Sequence, residues 1–349
     1  MAVITVLGAG AMGSALCRPL ADSGWEVRLW GTWLDDHLLD AIERGDTHPR
    51  TGAIVPKDVA LYRSDALADA LDGATVVVMS VASVGVEKVT ELALDGITRA
   101  EALWLTSKGF YEDEAGRISL LPDAIRAIAA RTGATIPPIV AIAGPVKANE
   151  CAEGMPTATI FGCTDGQVAA KYAAATTTPR YAIASTNDEV GVEVCAPMKN
   201  VYAIALGIAD GLEEATGIPH HNLKAATFTQ AVAEMSRLGA ALGASPETAF
   251  GLPGVGDLEV TGLSGRNKVF GVRIGRGEAP ADALAEMDRL EQTVEGASAL
   301  PLALKLVEQT SGIALSDFPL LEAVAEIIRG NGGEGVKDVV SRAVLPRAR

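Results

Sequence analysis

The chain has 349 residues, with 44 acidic and 29 basic side chains, a formal net charge of −15 and 48% hydrophobic residues. This length and apolar content exclude a disordered chain and suit two domains, each with its own core. The acidic balance excludes a general nucleic-acid surface, which needs clustered Lys and Arg, but leaves room for small anions held by a few local cations.

Residues 2–7 (AVITVL) read as a first strand, with no basic n-region before it, so no signal peptide is expected. A helical stretch, MGSALCRPLADSG, follows; Gly24 suits its end and Pro19 should kink or shorten it. The strand WEVRLW (25–30) leads to a second helical stretch, TWLDDHLLDAIERG. Further strands are expected at 74–81, 101–106, 137–143, 157–162 and 180–185. Their almost continuous apolar character is what a sheet covered on both faces requires. Strands alternating with helices predict an α/β fold whose N-terminal part is a Rossmann-type, doubly wound parallel sheet.

After about residue 188 the pattern changes. Segments around 190–213, 220–243, 282–292, 297–309 and 318–329 have helical spacing, and no strand is expected. We therefore expect a dinucleotide-binding domain over 1–188 and an all-α substrate and catalytic domain over 189–349. The Ala- and Gly-rich stretches VYAIALGIADGL and AVAEMSRLGAALG permit close helix–helix approach. The tail VVSRAVLPRAR reads as a frayed end. Cys17, Cys151, Cys163 and Cys195 have no metal or disulfide spacing and read as small buried hydrophobes. No uncharged apolar stretch of about 18 residues suggests a membrane span. A reduced, cytoplasmic protein is expected.

The motif Gly8-Ala9-Gly10-Ala11-Met12-Gly13 is GxGxxG between the first strand and the first helix. Gly8 permits the tight turn, Gly10 lets a pyrophosphate approach the backbone, and Gly13 lets helix and strand pack closely. The helix N-terminus supplies N–H groups to the phosphates. The end of the second strand, Trp30-Gly31-Thr32-Trp33, has no acid before Asp35. A 2′-phosphate would meet no repulsion there, and Thr32 or Arg50 could contact it, which tilts the choice between NAD and NADP towards NADP.

The chain has only ten lysines. Lys108, in LTSKGF, follows a strand and so falls at the carboxyl edge of the sheet, where open α/β folds bind ligands. Lys199 lies beside Asn200 on an otherwise apolar helix, an arrangement that is costly without a partner or ligand. In GLPGVGDLEVTGLSGRNKVFG (251–271), Asp257 and Thr261 are four apart and share a helix face. Ser264 is expected to cap a helix that opens with Arg266 and Asn267, a suitable phosphate site. The four histidines show no metal spacing, and no metal is expected.

The motifs GAGAMG, SKGF, Gly144-Pro145 with Ala148 and Glu150, KNVYAIALGI, FGLPGVGDL, GRN and VEG (294–296) together resemble the NAD(P)-dependent glycerol-3-phosphate dehydrogenases, over nearly the whole chain. The resemblance implies reversible NAD(P)H-dependent reduction of dihydroxyacetone phosphate to sn-glycerol 3-phosphate, which feeds phospholipid synthesis, in a homodimer acting on a small phosphorylated substrate. It implies that Lys199 is the general acid/base, with Lys108 and Asp257 completing the catalytic group. It places Gly144, Asn200, Asp257, Thr261 and Gly265 beside the substrate and makes Arg266 and Asn267 the phosphate clamp. Ala11, Met12, Ala148, Arg266, Glu295 and Lys108 become cofactor contacts, with Thr32 and the three glycines. A free lysine titrates near about 10.4; Lys108 would lower that value and Asp257 would raise it.

Val146-Lys147 departs from the family's usual Ser-Phe, which motivates an alternative: a related dehydrogenase acting on another phosphorylated polyol or hydroxy acid. A non-catalytic dinucleotide sensor would need none of Lys108, Lys199 and Asp257. The acidic surplus is expected on the solvated outside, around a positive cleft formed by Lys108, Lys199 and Arg266.

Overall fold

Beginning at β1 (Val3–Leu7), strands and helices alternate: α1 (Ala11–Asp22), β2 (Glu26–Trp30), α2 (Asp36–Glu43), β3 (Ala60–Tyr62), α3 (Leu67–Leu71), β4 (Val76–Met79), α4 (Val86–Arg99) and β5 (Ala102–Leu105). A separate two-stranded sheet, β6 (Phe110–Glu112) and β7 (Ile118–Leu120), interrupts this rhythm. Then come α5 (Leu121–Ala130), β8 (Ile139–Ala143), α6 (Ala148–Ala152), β9 (Thr157–Gly162), α7 (Gly166–Thr176) and β10 (Tyr181–Thr186). The computed structural model describes residues 2–290, 292–330 and 335–345. The chain divides into two units, one formed by Met1–Tyr111 with Leu120–Glu193, the other by Glu112–Ser119 with Val194–Arg349.

The first unit is built on an eight-stranded sheet of order β10-β9-β8-β5-β4-β1-β2-β3. Successive side chains of a strand point to opposite faces, and both faces are covered here. Val76 and Val78 join Ile4, Val6, Trp104 and Phe161 in one core, while Val77 and Met79 join Leu7, Leu103 and Leu105 in another. The strands β1, β2, β3, β4, β5 and β8 pair in parallel, as do β9 and β10, but β8 and β9 are antiparallel. The expected wholly parallel sheet is therefore mixed. Between β8 and β9, α6 rises only about 7.5 Å, less than half the length of a five-residue strand, and does not carry the chain back for a parallel return. Pro19 neither ends nor shortens α1, which runs on to Asp22, and Gly24 follows with φ of 91°.

The helix α8 (Glu189–Thr216) is followed by α9 (His221–Ala241), α10 (Asp257–Leu263), α11 (Arg266–Gly275), α12 (Pro280–Arg289), α13 (Glu295–Gln309), α14 (Pro319–Ile328) and α15 (Val336–Val344). Glycines let α8 and α11 touch backbone to backbone. A Cβ on Gly271 would lie 2.0 Å from the Ile204 carbonyl oxygen, and one on Gly207 would lie 2.2 Å from that of Lys268. Among the described residues α8 is the one helix long and apolar enough to cross a membrane, where the sequence led us to expect no such stretch; its apolar window is wholly buried within the fold. The expected frayed tail is helical as far as Val344, because Val339 and Val340 are buried in the core of the second unit. Residues 346–349 of that tail, and residue 291 of the expected helix 282–292, lie outside the described residues.

A buried carboxylate fastens the bundle. Glu234 of α9 is fully buried and accepts from Tyr202 Oη (2.8 Å), Gln230 Nε2 (2.8 Å) and the backbone N–H groups of Leu320 (2.7 Å) and Leu321 (3.0 Å) at the start of α14. Burial raises its carboxyl above the usual range, and the four donors oppose that rise. Glu234→Leu strands those donors and is expected to cost about 3 kcal/mol or more, read from the urea midpoint. A change within 0.5 kcal/mol, the ordinary range for a surface position, would remove Glu234 from this role.

Candidate functional site

In the first unit the glycine-rich loop leaves β1 and opens α1. Gly8 has φ of 111°, and a Cβ there would come 2.7 Å from the Ser80 carbonyl oxygen. On Gly13 a Cβ would stand 2.0 Å from the Gly8 carbonyl oxygen. Gly10 is the N-cap of α1, with no side-chain cap on the first N–H groups. At Gly10, Nη1 of Arg50 is 3.6 Å from where a Cβ would stand, with nothing nearer. A backbone cradle at a helix N-terminus, beside a guanidinium, fits the diphosphate of a dinucleotide. Ala11 and Met12 begin α1, and Met12 and Ala148, the first residue of α6, are half-buried against the same core.

The surrounding polar groups hold this loop in place. Asp35 is buried, and its Oδ2 accepts from Thr32 N (2.9 Å), Thr32 Oγ1 (2.8 Å) and Ala9 N (3.3 Å). The hydroxyl proton of Thr32 is thus committed to Asp35. His48, wholly buried, bonds the Ala9 carbonyl through Nε2 (3.0 Å) and takes the Arg50 N–H on Nδ1 (3.2 Å), a pattern that the neutral ring satisfies. Burial lowers its pKa, as do Arg50 and His37, while the Ala9 bond and Asp35 pull it up. A lone histidine in a loop has no periodicity or spacing, so no sequence signal points to it.

Lys108 lies half-buried in the loop after β5, at the carboxyl edge of the sheet. Gly144, with φ of 140°, directly follows β8 at the same edge. Lys147, the departure from the family pattern, is the N-cap residue of α6 and pairs with Glu150 at 3.5 Å.

The second unit gathers the remaining candidates. Lys199 on α8 donates to Asp257 Oδ1 (2.6 Å) and Thr261 Oγ1 (2.8 Å), both on α10 and one turn apart. The Lys199 side chain is 7% exposed and that of Asp257 1%, so the ion pair is desolvated and its geometry is fixed. Asn200 donates from Nδ2 to Glu295 Oε2 (3.0 Å), and Arg266 donates from Nη2 to Glu295 Oε1 (3.2 Å). Asn267 Oδ1 accepts the Gly296 N–H at 2.8 Å. Gly296 packs so tightly that a Cβ would lie 2.3 Å from the Asn200 carbonyl oxygen. Glu295 therefore ties the Lys199-Asn200 pair to the start of α11. The N-cap of α11 is Gly265, at φ of 150°, and not Ser264, which ends α10. A φ in that range favours glycine and leaves the N–H groups of α11 without a side-chain cap. Among the described residues no group of three His, Cys, Asp or Glu side chains is placed to hold a metal ion.

The family model for the N-terminus of NAD-dependent glycerol-3-phosphate dehydrogenase matches residues 3–169, and that for the C-terminus matches residues 188–340. An NADP(+)-dependent glycerol-3-phosphate dehydrogenase of Archaeoglobus fulgidus is 34% identical over 331 residues, covering 93% of this chain and 95% of the relative. The chain belongs to the glycerol-3-phosphate dehydrogenase family. Another member, the NAD(P)+ glycerol-3-phosphate dehydrogenase of Geobacter sp. (strain M21), is 34% identical over 350 residues, covering 95% of this chain and 99% of its own length. The crystal structure of glycerol-3-phosphate dehydrogenase from Coxiella burnetii superposes with a TM-score of 0.81 at 28% identity, covering 98% of each chain. In this member of the glycerol-3-phosphate dehydrogenase family, Lys199, Asn200, Asp257, Thr261, Arg266, Asn267 and Glu295 come together within one unit.

Proposed function

We propose that this chain catalyses the reversible NAD(P)H-dependent reduction of dihydroxyacetone phosphate to sn-glycerol 3-phosphate, with Lys199 as the proton donor. The observation that carries this reading is the buried Lys199, held at 2.6 Å from Asp257 and 2.8 Å from Thr261, beside Asn200 and the exposed N-terminus of α11. When bound, the dinucleotide supplies a hydride to the carbonyl carbon, and residues 1–188 serve as its domain. The alkoxide that develops on the carbonyl oxygen needs a nearby proton, and Lys199 gives it; in the oxidative direction Lys199 takes it back. Asp257 and Thr261 fix the ammonium so that it does not swing away between turnovers. Residues 189–349 hold the substrate, with Arg266 and the uncapped N–H groups of α11 binding the phosphate. NADP is the favoured dinucleotide, since Arg50 stands beside the glycine-rich loop and the Asp35 carboxylate is already occupied by Thr32 and Ala9. A cytoplasmic homodimer feeding phospholipid synthesis completes this reading.

Steady-state rates with dihydroxyacetone phosphate and with unphosphorylated dihydroxyacetone, under NADPH and under NADH, test the proposal. No turnover of dihydroxyacetone phosphate with either cofactor would sink it. Arg266→Ala is expected to raise KM for dihydroxyacetone phosphate roughly 10- to 100-fold, the loss of one charge-assisted hydrogen bond to a phosphate, with a smaller change in kcat. An unchanged KM would take Arg266 out of the phosphate site.

A further inference from the structure

Trp33 lies in the short loop between β2 and α2 and is 44% exposed, although tryptophan is among the residues that folding buries most. The ammonium of Lys88 stands over its ring, 4.2 Å from the centroid. Lys88 belongs to the first turn of α4 and is exposed, as are Leu34 beside the tryptophan and Val84 just ahead of α4. On so acidic a chain a surface lysine would be expected against a carboxylate, yet the acids of these segments are engaged elsewhere. Glu87 and Glu91, on the same helix, face Arg131 at 2.8 and 3.9 Å. Asp36, Asp40 and Glu43 surround Arg63 at 3.4, 2.7 and 2.8 Å, and Asp35 accepts from Thr32 and Ala9. Among the described residues Lys88 forms no ion pair, and the indole face is its contact. A cation over an exposed ring is held more weakly than one in a charge-assisted hydrogen bond, so the ammonium has a fixed resting place and yields to an anion that reaches it.

The sheet decides what reaches it. β2 and β4 flank β1 and run parallel to it, so the segments that follow all three strands leave the same edge. The glycine-rich loop after β1 is fastened to both neighbours. Ala9 N donates to Asp35 Oδ2 at 3.3 Å, and Gly8 packs so closely on the segment after β4 that a Cβ would come 2.7 Å from the Ser80 carbonyl oxygen. A dinucleotide whose diphosphate lies on that loop extends its adenosine past the end of β2, towards Trp33 and Lys88.

We propose that Trp33 and Lys88 form the seat for the adenosine 2′-phosphate of NADP, the indole stacking on the adenine and the ammonium pairing with the 2′-phosphate. This seat rests on the function proposed above and names a residue that tells NADP from NAD. Arg50 stands by Gly10, and Lys88 adds a second cation, for a group that NAD lacks. The engaged acids matter as much as the lysine. A free carboxylate at the end of β2 would accept from the ribose hydroxyls of NAD and repel a 2′-phosphate, and Asp35 is turned inward to Thr32 and Ala9 instead.

Dissociation constants for NADP+ and NAD+, measured by calorimetry on the whole chain at about pH 8, where the 2′-phosphate is a dianion, test the seat. The wild type is expected to favour NADP+. Lys88→Met is expected to weaken NADP+ by roughly 10- to 100-fold, the loss of a charge-assisted hydrogen bond, and NAD+ by less than about twofold. Lys88→Glu is expected to reverse the preference. Trp33→Leu is expected to weaken both dinucleotides by about tenfold, since both carry the adenine. NAD+ is the control for folding, because a merely structural part for Lys88 would weaken the two ligands equally. The proposal is overturned if Lys88→Met binds NADP+ as the wild type does, if it loses both ligands equally, or if Trp33→Leu loses neither. A protein that binds NADP+ through Lys88 but does not reduce dihydroxyacetone phosphate would retain the seat and lose the function proposed above. One that reduces dihydroxyacetone phosphate, and whose Lys88→Met variant keeps its NADP+ affinity, would retain the function and lose the seat.

Discussion

Replacing Lys199 by methionine is expected to lower kcat for dihydroxyacetone phosphate reduction by roughly 10³-fold, within the range of about 10² to 10⁴ that a positioned proton donor contributes. Methionine keeps the apolar stem and fills most of the space, so the loss reads the ammonium and not the packing. The same change takes the Lys199 ammonium away from the buried Asp257, which is expected to cost about 3 kcal/mol of stability. The double variant Lys199→Met with Asp257→Asn separates the two effects. Neutralising the carboxylate is expected to restore part of the urea midpoint and none of the rate. Lys199→Arg adds a further discrimination: the guanidinium keeps the charge but does not give up a proton at any pH the protein tolerates. If Lys199 acts by proton transfer, arginine does not rescue; if it acts as a fixed charge, arginine restores a large part of kcat. A loss below tenfold in Lys199→Met would remove Lys199 from the proton-transfer step.

The parts of this site that could be read in the sequence are those that local spacing dictates. Asp257 and Thr261 share a helix face because they are four residues apart, and the structure puts both on Lys199. That Lys199 meets them across 58 and 62 residues is tertiary information, which no periodicity contains; there the motif resemblance supplied what local physics does not. The glycine-rich loop was legible because a strand, a tight turn and a helix start must follow one another at fixed offsets. β3 escaped notice because three residues, only partly buried, carry little hydrophobic pattern. The antiparallel step between β8 and β9 was hidden for another reason, since hydrophobic alternation marks a strand but not its direction. At the start of α11 the usual preference for serine as a cap misled: the left-handed backbone at Gly265 decides the boundary, and Ser264 is left at the end of the preceding helix. His48 belongs to a third kind: it is a single polar residue whose meaning comes from complete burial, and burial of an isolated imidazole is what sequence patterning reads least well.

Gly271→Val is expected to abolish folding of the second unit, and Gly271→Ala to destabilise it by about 3 kcal/mol or more, at the top of the range for overpacking. The reason is geometric. A Cβ on Gly271 would stand 2.0 Å from the Ile204 carbonyl oxygen and 3.1 Å from the Gly207 Cα, so the obstacle is backbone that no rotamer change can move. Gly275 repeats the contact one turn later, 2.3 Å from the Ile208 carbonyl oxygen, and Gly207 and Gly211 reciprocate from α8 against α11. Separating the helices to admit a methyl group would strip dispersion contacts along the whole seam. It would also draw the start of α11, with Arg266 and Asn267, away from Asn200 and Glu295. Gly312→Ala is the matched control. Gly312 has φ of 84° and nothing within 4 Å of where a Cβ would stand, so its substitution is expected to cost only about 1–2 kcal/mol of backbone strain. Urea midpoints of the two alanine variants decide the matter. A loss at Gly271→Ala no larger than that at Gly312→Ala would mean that the close approach of α8 and α11 is not what holds Lys199 and Arg266 in one site.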